Sequence, residues 1–207
     1  FIKNLSENGK SVLFVGTKKQ AQDIVKDAAA KCESSYVNQR WLGGLLTNFK
    51  VIRGSIDKLV EMEEMRDDGR WDLLSKKEQS KMEKVYRKLS KNLGGIKAMT
   101  GVPGALFVID SSNEEIAISE AQKMNLPIVA VVDTNGNPDN IHYPIPGNDD
   151  AVRAIDLFTS KVADAIIEGK KSRIEKDMLQ DKKTEEAATE TVRPEPAGKG
   201  GGGKEKV

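Results

Sequence analysis

Cysteine and histidine are almost absent from this chain, because Cys32 and His142 are its only examples of these residues. A single cysteine cannot form an internal disulfide, and a site built from several cysteines is excluded. His142 has no second histidine or cysteine near it, and no Ser-His-Asp or paired-carboxylate arrangement can be proposed around it. The sequence therefore predicts no metal site and no cofactor, and it favours a structural role for His142.

Long apolar runs are also missing. No run approaches the roughly 20 residues needed to cross a bilayer, and the first residues, FIKNLSENGK, lack the apolar centre of a signal peptide. These absences favour a cytosolic protein. The chain begins with Phe1 instead of methionine, and FIKNL looks like the last turns of a helix, so we expect the native N-terminal region to precede it.

The net charge is only +1, but the charges are segregated along the chain. Residues 1–53 carry nine basic and four acidic side chains, whereas residues 98–167 carry three basic and ten acidic ones. Residues 75–97 hold eight basic side chains against two acidic ones, and residues 55–72 hold three against seven. Folding can gather such basic segments into a surface that attracts phosphates. Ordinary solvated helix faces would give the same counts, so both interpretations stay open.

Two β-α-β patterns predict a layered α/β fold. Short apolar runs alternate with segments of helical composition, and the run before Asp133 is apolar at consecutive positions, as in parallel strands covered on both faces. The strands and helices predicted are, in chain order, Ser11–Val15, Lys18–Lys31, Ala105–Ile109, Glu114–Met124 and Ile128–Val132. An irregular proline-containing loop over 137–147 and a closing helix over 149–167 are expected to follow.

A segment with a different pattern lies between the two sheet units. Apolar residues recur at steps of three and four in two stripes, one over 52–65 and the other over 82–96. They predict an inserted antiparallel helical (coiled-coil) hairpin over 54–96, with Ser75 as the cap of its second helix. The stripes are short, so two ordinary core helices would also explain them. The remaining ranges are then assigned as an α/β core, 1–53 and 97–168, and a charged, Gly-rich disordered tail, 169–207.

Two features resemble enzyme sites only weakly. The turn Gly16–Lys19 follows a strand and opens a helix, a geometry that attracts phosphate, but neither G-x-x-x-x-G-K-[ST] nor G-x-G-x-x-G is present. Asp110 and Asp133 stand at strand ends, where α/β enzymes place catalytic groups. Nothing supplies a nucleophile or base beside them, so side-chain caps of the following backbone are favoured.

The segment NQRWLGGLLTNFK, residues 38–50, is richer in recognition chemistry. Arg40 can bridge phosphates or stack on a base, and a glycine pair allows close backbone approach. Trp41 can stack on a base as well, but large aromatic side chains are mostly buried, so we expect it in the core.

Three stretches together resemble a known family, the bacterial small-subunit ribosomal protein numbered two. They are VLFVGTKKQAQ over 12–22, NQRWLGGLLTNF over 38–49 and VVDTNGNPDNIHYPIPGNDDAVRAI over 131–155. The resemblance covers about residues 1–168. It implies a flavodoxin-like three-layer parallel sheet with an inserted helical hairpin, and no catalytic residues.

The same resemblance implies a role in translation. Such a protein lies in the small ribosomal subunit where head meets body, contacts ribosomal RNA and neighbouring ribosomal proteins, and helps recruit the mRNA-binding ribosomal protein one. No membrane or small-molecule substrate is implied. The side chains expected to contact RNA, mainly by phosphate neutralisation, are Lys18, Lys19, Arg40, Asn48, Lys50, Arg53, Lys84, Arg87, Lys88 and Lys91.

Two alternatives remain at this point. A protein-interaction scaffold with minor RNA contact would use the hairpin and the acidic half. A flavodoxin-like enzyme would need a deep pocket that holds Asp110 and Asp133 with a third polar group.

Overall fold

In the computed structural model, which describes residues 1–190 and the side chains of residues 1–178, five strands form one parallel sheet with the order β2-β1-β3-β4-β5. Every neighbouring pair is parallel. The strands are β1 Val12–Val15, β2 Ser35–Val37, β3 Ala105–Ile109, β4 Ile128–Val132 and β5 Tyr143–Pro146. This order is that of flavodoxin-like folds, and the predicted fold class is confirmed.

Helices cover both faces of the sheet because alternate side chains of each buried strand point to opposite layers. They are α1 Ile2–Glu7, α2 Gln22–Lys31, α3 Phe49–Asp67, α4 Lys76–Leu93, α5 Glu115–Lys123 and α6 Val152–Glu190. One face packs on α3, α5 and the end of α4, and the other on α1, α2 and α6. Two short 3-10 helices, Arg70–Leu73 and Gly94–Ile96, flank α4.

The helices α3 and α4 pack against each other and are joined by a short turn. Ser75 accepts a hydrogen bond from the Glu78 backbone N–H, and the Glu78 carboxylate accepts from the Ser75 N–H, so the predicted cap is present as a full capping box. The guanidinium of Arg66 lies 4.4 Å from the ring centroid of Trp71 and 3.9 Å from that of Tyr86. Leu93, at the end of α4, belongs to the core beneath the sheet. The assignment of 54–96 as an inserted coiled-coil hairpin stays a prediction.

Two predictions of local structure differ from the structure. The closing helix, predicted to end at 167, continues to Glu190, past the predicted start of the tail at 169, and α1 packs against it. Lys3 pairs with Glu168, and Lys176 pairs with Glu7, which ties this stretch to the core. The loop predicted over 137–147 contains β5, an edge strand whose prolines are tolerated because one of its sides needs no hydrogen bonds. The predicted tail from 191 to 207 lies outside the described residues.

No helix among the described residues combines the length and the apolarity that a membrane span needs.

Candidate nucleic-acid interface

A buried carboxylate organises the segment 38–50. Glu120 lies on α5 and is 6% exposed. Its two oxygens accept hydrogen bonds from the indole N–H of Trp41 and the hydroxyl of Thr47, each at 3.2 Å. They also accept from three backbone N–H groups of the segment, those of Gly44 at 2.7 Å, Leu46 at 3.0 Å and Thr47 at 3.2 Å. The segment therefore wraps around one negative charge.

These donors decide the ionisation of Glu120. Burial alone would raise the pKa of the carboxyl, but the hydrogen bonds from Gly44, Leu46, Trp41 and Thr47 outweigh it and lower the pKa. The carboxylate is thus charged at neutral pH and holds its donors strongly, because hydrogen bonds to an ionised acceptor are stronger than neutral ones.

The geometry sorts the segment into buried and exposed side chains. Trp41 is 7% exposed and packs in the core, as predicted, with Leu45 and Leu46 beside it. Arg40, Asn48 and Lys50 are exposed. The backbone turns at Gly44, whose φ of +86° lies in the left-handed region that glycine tolerates. Glu120 thereby fixes the backbone that carries three of the predicted RNA contacts.

Lys18 forms ion pairs within the protein. Its ammonium lies 2.7 Å from the Asp149 carboxylate and 3.2 Å from that of Asp110, and it also pairs with Asp150. Only 19% of its side chain is exposed. Burial would lower the pKa of Lys18, but the hydrogen bonds to Asp149, Asp150 and Asp110 raise it. Lys18 is therefore neutralised by carboxylates of the protein itself, which disfavours the phosphate contact predicted for it, and that contact stays a prediction.

The space at the carboxyl ends of β1 and β3 is filled by protein groups. Glu114 is 3% exposed and accepts hydrogen bonds from the N–H and the hydroxyl of Thr17. Burial raises the pKa of Glu114 despite these bonds, and nearby Asp110 adds to the rise. Asp110 caps the turn after β3 by accepting from the N–H groups of Ser112 and Asn113. The capping role predicted for Asp110 is confirmed.

The other strand-end aspartate also serves its own turn. Asp133 accepts from the N–H of Thr134 at 2.7 Å. The cavity that Asp133 lines is bordered by prolines and does not include Asp110. His142 accepts a hydrogen bond from the Ile128 N–H through Nδ1, so it has the structural contact predicted for it.

The β1–α2 turn adjoins the segment 38–50. The side-chain amide of Asn38 donates to the Gln22 carbonyl at 2.9 Å, and that of Gln39 donates to the Gln22 side chain at 3.2 Å. Lys19 is exposed in this turn, three residues before Gln22. The contacts bring the loops of Lys19 and Arg40 to the same edge of the sheet.

The remaining predicted contacts lie on α3 and α4. Arg53 pairs with Asp57 at 2.9 Å and donates to the Met99 carbonyl, so its charge is partly used. Arg87 pairs with Glu83 at 2.8 Å yet keeps 77% of its side chain exposed. Three further residues, Lys84, Lys88 and Lys91, are exposed on α4. Within the described part of the chain no carboxylate lies in salt-bridge range of Lys19, Arg40, Lys50, Lys84, Lys88 or Lys91.

Sequence reasoning missed Glu120. One signal was present, because Glu120 falls on the same side of the predicted helix as Ala117 and beside Ala121, both fully buried. A carboxylate at a core position needs several donors, and the glycine-rich segment 38–50 could have supplied its N–H groups.

Comparison with known proteins agrees with the fold and with the family resemblance of the three stretches 12–22, 38–49 and 131–155. Residues 1–169 match the family model described as Ribosomal protein S2. The "Small ribosomal subunit protein uS2" of Geotalea uraniireducens (strain Rf4) is 57% identical over 173 residues, which cover 84% of this chain and 68% of the relative. The family is a structural, non-enzymatic component of the small subunit of the cytoplasmic ribosome, so the predictions of a ribosomal role without catalysis are confirmed by membership. The chain belongs to the ribosomal protein S2 family.

Proposed function

We propose that this protein binds small-subunit ribosomal RNA at the junction of head and body, and that it thereby helps recruit the mRNA-binding ribosomal protein one. The observation that carries the RNA part is the set of six predicted cations that are exposed and have no salt-bridge partner among the described residues. The acidic segment of the chain, residues 98–167, holds three basic side chains against ten acidic ones and disfavours polyanions.

The first contact region comprises Lys19, Arg40, Asn48 and Lys50. Glu120 holds the chain between Arg40 and Lys50 through the backbone N–H groups of Gly44, Leu46 and Thr47, so fewer degrees of freedom are lost when phosphates bind. Arg40 offers a planar fork that can bridge two phosphate oxygens, and Asn48 offers an amide donor. Arg53, in the first turns of α3, extends this region with a charge that Asp57 partly neutralises.

The second contact region is the exposed face of α4, which carries Lys84, Arg87, Lys88 and Lys91. Lys88 lies four residues after Lys84, and Lys91 lies four residues after Arg87, so the four side chains share one side of the helix. A row of cations on a rigid helix suits contacts with the backbone of RNA, in which phosphates fix the position and base sequence is not read.

A charge reversal in the first region tests the proposal. We expect the double variant R40E/K50E to bind a small-subunit RNA fragment at least tenfold more weakly than the unaltered chain, because two phosphate contacts become repulsive. The matched control K123E/K161E makes the same change in net charge on α5 and α6, where both lysines are exposed, and should bind almost normally. Filter binding at several salt concentrations measures both.

Two outcomes would contradict the proposal. Binding that does not weaken with added salt would favour the protein-interaction scaffold. The same variants test the recruitment of ribosomal protein one. Small subunits reconstituted with R40E/K50E should contain less of this protein and correspondingly less ribosomal protein one. Full occupancy by protein one on subunits that lack this protein would rule out the recruitment role.

A further inference from the structure

Five lysines form a regular stripe along α4. They recur at steps of four, three, four and three, all are exposed, and they are Lys77, Lys81, Lys84, Lys88 and Lys91. Such steps keep side chains on one face of a helix with 3.6 residues per turn. At 1.5 Å per residue the stripe spans about 21 Å. Only the last three of these lysines belong to the contact region described above.

The acidic residues of α4 leave this stripe unneutralised. Glu78 serves the capping box with Ser75. Glu83 lies on another side of the helix, where it pairs with Arg66 and Arg87. Among the described residues, no carboxylate lies within salt-bridge distance of any lysine of the stripe. The full charge of the stripe therefore faces outward.

The stripe lowers the stability of α4, whereas a helix face with mixed charges would not. Each lysine has the next one three or four residues away, and like charges at these distances destabilise a helix by about 0.2–0.5 kcal/mol per pair. The neighbouring helix segregates the opposite sign: Asp57, Glu61 and Glu64 are exposed on α3 at steps of four and three, and the exposed Asp68, four residues on, caps its C-terminal end. The α3–α4 pair thus has one acidic and one basic edge.

We propose that the five-lysine stripe lies along the phosphate backbone of a helical RNA segment. Lys77 and Lys81 then contact the RNA in addition to the residues of the second contact region, and the acidic edge of α3 faces away from the RNA. Charge complementarity identifies a polyanion. The stripe carries no aromatic side chain on which an unpaired base could stack, since Tyr86 is half-buried against Arg66. A duplex, which is recognised by shape and phosphates, fits better than a single strand. This inference rests on the proposed RNA-binding function and gives it an orientation.

The double variant K77Q/K81Q tests the inference in the full chain. Lys77 lies in the first turn of α4, where the helix dipole disfavours cations, and Lys81 is exposed without a salt-bridge partner among the described residues, so folding should not suffer. We expect the slope of log affinity against log salt concentration for a small-subunit RNA fragment to become shallower by about 2, roughly one for each lost lysine. The control K123Q/K161Q removes the same charge elsewhere and should leave the slope unchanged. Duplex RNA should compete better than single-stranded RNA of the same length.

The possible failures separate. An unchanged slope for K77Q/K81Q together with weaker binding of R40E/K50E would overturn the stripe and leave the RNA-binding function standing. Stronger competition by single-stranded RNA than by duplex RNA would overturn the choice of duplex RNA as the occupant. The same choice would be overturned if K77Q/K81Q lost binding to an acidic ribosomal protein while its slope of log RNA affinity against log salt concentration stayed the same. Salt-insensitive binding by the unaltered chain would overturn the proposed function and the stripe together.

Discussion

The β1–α2 turn and the segment 38–50 both follow a strand of the sheet, and both carry cations, but they use them in opposite ways. In the turn, the cation Lys18 is drawn inward by Asp110, Asp149 and Asp150. In the segment, the inward group is the carboxylate of Glu120, which the segment binds through N–H groups and a hydroxyl, and Arg40 and Lys50 stay outside. In these two places, the cation stays available to a partner where the buried carboxylate is satisfied by N–H and hydroxyl donors, and it is used within the protein where the buried carboxylates pair with its ammonium.

The two buried glutamates show the same difference in their ionisation. Glu120 has three backbone N–H donors and a lowered pKa, whereas Glu114 has one backbone N–H donor, lies near Asp110 and has a raised pKa. Burial raises the pKa of both carboxyls, and only in Glu120 do the hydrogen bonds, three of them from backbone N–H groups, outweigh it.

The largest expected effect is the loss of Glu120. The variant E120A leaves the Trp41 indole and several backbone N–H groups of the segment without a buried acceptor, and we expect it to lower the free energy of unfolding by about 3–4 kcal/mol. Chemical denaturation measures this value. E115A, on the exposed side of the same helix, is the control and should change stability by less than about 0.5 kcal/mol. Equal stability of E120A and the unaltered chain would show that the segment does not depend on this carboxylate.

The next effect separates Lys18 from Lys19. K18A leaves the buried Asp149 and Asp110 without their cation and should cost about 2–3 kcal/mol of unfolding free energy, with RNA affinity unchanged wherever the variant is folded. K19A should leave stability unchanged and should reduce the slope of log affinity against log salt by about 1. Weaker RNA binding by folded K18A would restore Lys18 as a phosphate contact and would break the comparison.

The smallest effect is a difference in pH dependence. The lowered pKa of Glu120 contributes stability that is present above its unfolded value of about 4.3 and is lost as pH falls through the folded pKa. The raised pKa of Glu114 has the opposite sign, so stability is lost as pH rises through its folded pKa. We therefore expect E114Q to gain up to about 1 kcal/mol relative to the unaltered chain between pH 4 and pH 7, and the deficit of E120Q to grow over the same range. Unfolding free energies at these two pH values measure both trends, and parallel trends for the two variants would contradict the assignment.

Much of the fold could be predicted because its pattern is local. The apolar runs of β1, β3 and β4 and the capping box at Ser75 lie within short stretches of chain, and each was predicted correctly. The edge strand β5 was missed because its prolines are tolerated only where a neighbour is absent on one side. The length of α6 was underestimated because its contacts with α1 come from the far end of the chain.

The sequence by itself determined the parallel α/β sheet, the family to which the chain belongs, and the candidate cations, since these depend on residue type and spacing along the chain. Only the tertiary structure decided which cations are available to a partner. Lys18 and Asp149 are 131 residues apart in the chain, and Gly44 and Glu120 are 76 apart, yet each pair lies within hydrogen-bond distance. Ion pairing and desolvation act through space, so the pairing of distant charges is set by the fold and not by local pattern.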